Sequence, residues 1–223
     1  LRVMGQVSYY VWLTKQFTSP INVAIPSGNF GNAYSAWFGR SNGLPINQIL
    51  CSTNVNDVLR RFIDGGVLEP LVTQPSVAPS MDIQIPSSLE RLIFDLSTEA
   101  KEFYAQLQNS TKAELDEKSV DTLKSVFSSV TFSDEMIKTR ITSLHDEFGI
   151  IFDPHTVTSV QMALDNDSSL PTVAVATASP EKFGNVISPL INGFTESKID
   201  QKEQYLTLST ENSEIIEAIT AFI

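Results

Sequence analysis

The sequence predicts an α/β fold: a three-layer, open, mostly parallel sheet with helices on both faces, plus a largely helical insert. Three observations carry this. An apolar strand, Asn22–Pro26, runs through a Gly-rich turn, Ser27–Asn32, straight into a helix-compatible stretch that reaches Arg40. A second unit repeats the logic, with Gln48–Thr53 as strand and Val55–Asp64 as helix, opened by Asn54 and ended by Gly65 and Gly66. Two strand-to-helix units in series favour parallel pairing, because the crossover helix returns the chain to the same sheet edge. Further on, Thr172–Ala176 (TVAVA) is apolar on both faces, as a strand in the middle of such a sheet should be.

The remaining elements follow in order. Leu1–Phe17 is aliphatic and aromatic, with Val3, Val7, Tyr10, Val11 and Thr14 at helical spacing and no polar leader. It reads as an inward-looking helix of a longer chain cut at this point. Leu68–Ser88 holds Pro70, Pro75, Pro79 and Pro86, too much proline for a long helix, and is expected as an ordered loop. Ser88–Phe148 is helical in character, with caps such as Ser97, Ser133 and Asp134, and the charged run Ala113–Lys118 is expected on one exposed helix face. Asp153 and Pro154 can open a helix from Thr156. Glu181–Leu190 reads as a crossover helix and Glu211–Ile223 as a terminal amphipathic one. The expected organisation is an α/β domain in two parts, 1–97 and 149–223, interrupted by a helical insert at 98–148.

Composition narrows the function. A net charge of −11 argues against a nucleic-acid or anionic-membrane surface, since phosphate backbones reward clustered Lys and Arg. Cys51 is the single cysteine, which excludes an intrachain disulfide and a multi-cysteine metal site and fits a reducing, cytoplasmic compartment. No apolar run approaches the roughly 20 residues of a spanning helix, so a soluble protein is expected, and the charge leaves room for a small, locally recognised ligand.

Ligands of open parallel sheets sit beyond the carboxyl ends of the strands, where the loops SGNFGN (Ser27–Asn32) and TASP (Thr177–Pro180) fall. Gly28 and Gly31 permit close backbone approach, and the amides of the turn can converge on an anion at the start of the following helix. The loop matches neither the Walker pattern nor the dinucleotide fingerprint. Taken alone it is a structural strand-to-helix connection as readily as a phosphate cradle, and Thr177 alone is a turn or cap hydroxyl.

With its continuation AYSAWFGRSNGLPINQILCSTNVNDVLRRF, the SGNFGN loop resembles threonine synthases, enzymes of the fold-type II pyridoxal-phosphate family with the tryptophan synthase β-subunit-like fold. Ala78–Phe94 (APSMDIQIPSSLERLIF), Asp153–Thr156 (DPHT) and Val173–Phe183 (VAVATASPEKF) resemble family segments in the same order, while Thr98–Ser133 and the last thirty residues match poorly. The resemblance implies that Gly28, Asn29, Phe30, Gly31 and Asn32 hold the phosphate of pyridoxal phosphate, and that Thr177 offers its hydroxyl to the pyridine nitrogen. It places Arg2 near the phosphate of the substrate, a solvated arginine being the plain alternative. Asp82 and His155 lie inside family segments, and structural roles are expected of both. The implied reaction converts O-phospho-L-homoserine and water to L-threonine and phosphate, by γ-elimination and β-addition of water. The lysine this chemistry requires lies upstream of Leu1 in the family pattern, and no lysine here has a matching context. The chain is therefore expected to hold the cofactor, to need the remainder of its own polypeptide for catalysis, and to be inactive alone. A lyase of the same scaffold releasing phosphate and a keto acid, and a non-catalytic binding fragment, are the alternatives.

Overall fold

The computed structural model describes residues 2–195. In chain order the elements are α1 (Arg2–Thr14), β1 (Ile21–Pro26), α2 (Gly31–Ser41), β2 (Ile46–Thr53), α3 (Val58–Gly65), β3 (Val67–Leu68), α4 (Leu89–Leu96), α5 (Ala100–Ser110), β4 (Ala113–Glu114), α6 (Glu117–Val126), β5 (Phe127–Thr131), α7 (Asp134–Phe148), α8 (Thr156–Leu164), β6 (Thr172–Ala174) and α9 (Gly184–Ile187). The main sheet has the order β5-β2-β1-β6 and every pairing in it is parallel. A small antiparallel pair, β3 with β4, stands beside it.

Side-chain alternation along the strands builds two cores. Val23, Ile25, Ile49, Cys51 and Phe127 point to one face, where Trp37, Leu59, Phe62, Leu92 and Ile93 cover them. Ala24 and Leu50, between them in sequence, point to the other face and meet Ile137, Ile141 and Leu144 of α7 and Val157 and Met162 of α8. A period of two in buried strands thus produces helix, sheet and helix in three layers, as the sequence implied.

Several local readings are corrected. Within the largely helical stretch 98–148, Phe127–Thr131 is a strand, not helix, and pairs with β2 along the sheet edge. The run Ala113–Lys118 is a short strand followed by the first turn of α6, with Asp116 accepting from the Ser119 N–H as its cap. Helix α3 starts at Val58, not Val55, because Asn54 turns its side chain into a local hydrogen bond with the Asn56 N–H. Strand β6 covers three of the five residues expected, and lies at the sheet edge with intermediate exposure instead of in the middle. The expected crossover helix 181–190 shrinks to a 3-10 turn at Pro180–Phe183 and the four-residue α9. Ser133 does cap α7, accepting from the Met136 N–H at 3.2 Å. The expected terminal helix, 211–223, lies outside the described residues. Among those described, no helix is long and apolar enough to cross a membrane.

Candidate anion-binding cleft

At the carboxyl end of β1 the chain leaves the sheet at Ser27, whose N–H donates to the Ser52 carbonyl of the neighbouring strand end. Phe30 then takes a left-handed conformation, φ 63°, uncommon for a residue with a side chain. Its ring is buried and rests 5.6 Å from Phe127, so packing holds the backbone in this conformation. The chain thereby enters α2 with no side-chain cap. Among the described residues, none of the backbone N–H groups from Gly28 to Ala33 donates to a protein acceptor; the first that does is Tyr34, to the Phe30 carbonyl at 2.9 Å. Six consecutive donors therefore stand open at the amino end of an 11-residue helix, where the helix dipole adds positive potential.

These residues line a cleft of about 180 Å³ together with Arg2 and Gln6 of α1, Ser80, Met81, His155 and Thr177. Gly28 is fixed by space: a Cβ there would lie 2.5 Å from the Ser80 carbonyl oxygen and 3.0 Å from Met81 Cα. At Gly31 a Cβ would sit 3.3 Å from both an Arg2 guanidinium nitrogen and the Gln6 side-chain oxygen, so the missing side chain leaves the backbone open to α1. That Gln6 oxygen is buried and has no partner among the described residues. The side chains of the two asparagines brace the loop. Asn29 Oδ1 accepts from the Ser87 N–H at 2.7 Å and the Ser87 hydroxyl at 2.8 Å. Asn32 Oδ1 accepts from the Tyr10 hydroxyl at 2.5 Å, which ties α1 to α2 and leaves the Asn32 amide hydrogens for the cleft.

Thr177 closes the far end. Its N–H donates to Thr156 Oγ1 at 3.2 Å, and among the described residues its own hydroxyl has no partner. Helix α8 is pinned under the sheet by further hydroxyls, Thr158 meeting Ser52 at 2.6 Å and Ser159 donating to the Val175 carbonyl at 3.3 Å. His155 lies on the cleft wall with Nδ1 2.9 Å from Asp153 Oδ1, while its Nε2 accepts from the Ser80 N–H at 3.1 Å. Burial pushes the Asp153 carboxyl up, but hydrogen bonds from His155 and Thr156 outweigh it and hold the group below its ordinary value.

The cleft thus gathers all seven residues singled out in the sequence: Arg2, Gly28, Asn29, Phe30, Gly31, Asn32 and Thr177. Asp82 lies outside it, accepting from Asn54 at 2.6 Å and from the N–H and hydroxyl of Ser76 at 3.0 and 2.6 Å, an organiser of the proline-rich loop. Sequence reasoning missed Gln6 and Ser80 and set His155 aside. Only the i,i+4 spacing of Gln6 from Arg2, and the acid two residues before His155, were available as signals. Among the described residues no lysine lines the cleft and no group of metal ligands exists. Cys51 is fully buried, its thiol pushed up to about 12 by desolvation.

No family model matches the sequence. The threonine synthase of Pseudomonas aeruginosa is 33% identical to it over 195 residues, covering 83% of this chain and 42% of that protein. The chain belongs to the threonine synthase family. Among solved structures of this family, the PLP-bound threonine synthase of Brucella melitensis matches with a TM-score of 0.85 at 27% identity, over 98% of this chain and 50% of that one. The yeast threonine synthase matches with a TM-score of 0.80 at 29% identity, over 87% and 44% respectively. The chain spans half or less of the length of these threonine synthases.

Proposed function

We propose that this chain holds pyridoxal phosphate, as the cofactor-holding part of an enzyme that converts O-phospho-L-homoserine and water to L-threonine and phosphate. The observation that carries the reading is the open run of N–H donors from Gly28 to Ala33 in one cleft with the Thr177 hydroxyl. The residues present fit the cofactor. A phosphate dianion would satisfy donors that have no protein acceptor among the described residues, each charge-assisted hydrogen bond contributing about 1.5–3 kcal/mol. When bound, pyridoxal phosphate supplies an electron sink for carbanion chemistry at the substrate carbons. Asn32 adds donors at the phosphate end of the cofactor, and Arg2, on the same cleft wall, is the donor for the phosphate of the substrate. Thr177 meets the pyridine nitrogen with a neutral hydroxyl, which does not force the ring into its protonated form as a carboxylate would.

Following the family pattern, in which the lysine that carries the cofactor precedes the segment matching Leu1 onward, we place that lysine on the remainder of the natural polypeptide; among the described residues no lysine lines the cleft. Residues 1–223 alone then bind the cofactor without turning over substrate, and we infer a cytoplasmic protein with a small-molecule substrate. Product analysis tests the reading: the natural gene product, supplied with O-phospho-L-homoserine and pyridoxal phosphate, is expected to release threonine and phosphate in equal amounts. Release of a keto acid without threonine would refute the synthase reading, and turnover by residues 1–223 alone would refute the division of labour.

A further inference from the structure

The wall of the cleft contains a relay that cofactor contact does not explain. Asp153 Oδ1 accepts from the backbone N–H groups of His155 at 2.9 Å and Thr156 at 3.3 Å, and faces His155 Nδ1 at 2.9 Å. The other ring nitrogen, Nε2, lies 3.1 Å from the Ser80 N–H. A nitrogen that accepts carries no proton, so these two contacts select one neutral tautomer: Nδ1–H donates to Asp153 and the Nε2 lone pair receives Ser80. His155 is 3% exposed, and the Phe183 ring covers it with centroids 4.9 Å apart, which keeps the imidazole from turning away. Ser80 belongs to the short 3-10 turn Pro79–Met81, and its carbonyl oxygen is the atom that leaves no room for a Cβ on Gly28. One residue of this turn therefore gives its N–H to the imidazole and sets its C=O under the first residue of the open N–H run.

We infer that the Asp153–His155 pair is a positioning device for the phosphate cradle: it fixes the Pro79–Met81 turn and thereby the placement of Gly28. The inference rests on the phosphate reading and deepens it. His155 acts through Ser80, so it is a positioning residue and not a catalytic one, and its placement makes the N–H run preorganised before any anion arrives.

Two substitutions separate this role from packing. The Gln side chain reaches the Nε2 position and can still accept from Ser80, whereas Asn spans only the Nδ1 position and cannot. Wild type, His155→Gln and His155→Asn are titrated with pyridoxal phosphate and with pyridoxal, which lacks the phosphate. His155→Gln should keep the phosphate-dependent affinity within about threefold, and His155→Asn should lose roughly tenfold, the equivalent of one buried donor left unpaired. Affinity for pyridoxal should be the same in all three. Equal losses in both variants, or no loss in His155→Asn, would overturn the inference. The ring 15N resonances of His155 in the cofactor-free wild type give a readout independent of folding in the variants: a proton on Nδ1 is expected, and a proton on Nε2 overturns the relay. If wild type binds both compounds equally, the phosphate reading fails, and the tautomer still decides the link to Ser80.

Discussion

Replacing Gly28 by alanine adds one methyl group where the structure has no space for it. The new carbon would stand 2.5 Å from the Ser80 carbonyl oxygen, 3.0 Å from Met81 Cα and 3.2 Å from Ile83 Cδ1. The first contact is about 1 Å short of an ordinary van der Waals approach. Two of the three atoms are backbone, so no rotamer change relieves them. The turn is held by His155 from behind and by the buried Met81, so the loop at Gly28 has to move instead. Overpacking of this kind costs about 1–3 kcal/mol, and a domain of this size loses roughly 2–4 °C of Tm per kcal/mol. Thermal unfolding followed by circular dichroism is expected to show a fall of a few to about ten degrees, and pyridoxal phosphate should bind far more weakly than the stability loss alone explains. Gly5→Ala is the matched control, because nothing lies within 4 Å of a Cβ there and α1 gains a better helix former. A Gly28→Ala protein that melts and binds as wild type does would refute the claim that the cradle depends on this close approach.

Three further outcomes are expected. Gly149 ends α7 at φ 68°, so Gly149→Ala should destabilise by about 1 kcal/mol and Gly149→Asn by less, read from denaturant midpoints at unchanged slope; a stabilised Ala variant would contradict the cap assignment. Cys51, buried and pushed up to about 12, should resist a disulfide reagent at pH 8 until the protein unfolds, and immediate labelling of the native protein would contradict its burial. Asp153 is held below its ordinary value of 3.8, so it contributes stability that is present above that pH and lost as pH falls through the lower folded value. Asp153→Asn should accordingly flatten the acid limb of the stability profile, and a limb of unchanged steepness would mean the carboxylate is not linked to folding.

Local signals carried the two strand-to-helix units, the Gly loop and the cap at Ser133, because period and turn chemistry are written within a dozen residues. The positions that failed depend on distant partners. Phe127–Thr131 (FSSVT) has too few apolar residues to announce a strand, and becomes one because Cys51 and its neighbours offer a free parallel edge. Thr172–Ala176 reads as central because Val173 to Ala176 put apolar side chains on both faces, yet sheet position depends on strand pairing, which sequence does not show. The cleft was legible as a loop and a threonine, whereas the contact between Ser80 and His155 spans 75 positions and has no local mark.

The central claim is that the backbone from Gly28 to Ala33 receives a phosphate. Amide chemical shifts of these six residues, followed during titration with pyridoxal phosphate and separately with pyridoxal, test it most directly. A saturable shift of the Gly28–Ala33 N–H signals that requires the phosphate group is predicted. Equal shifts with both compounds, or shifts confined to residues outside this run, would contradict it.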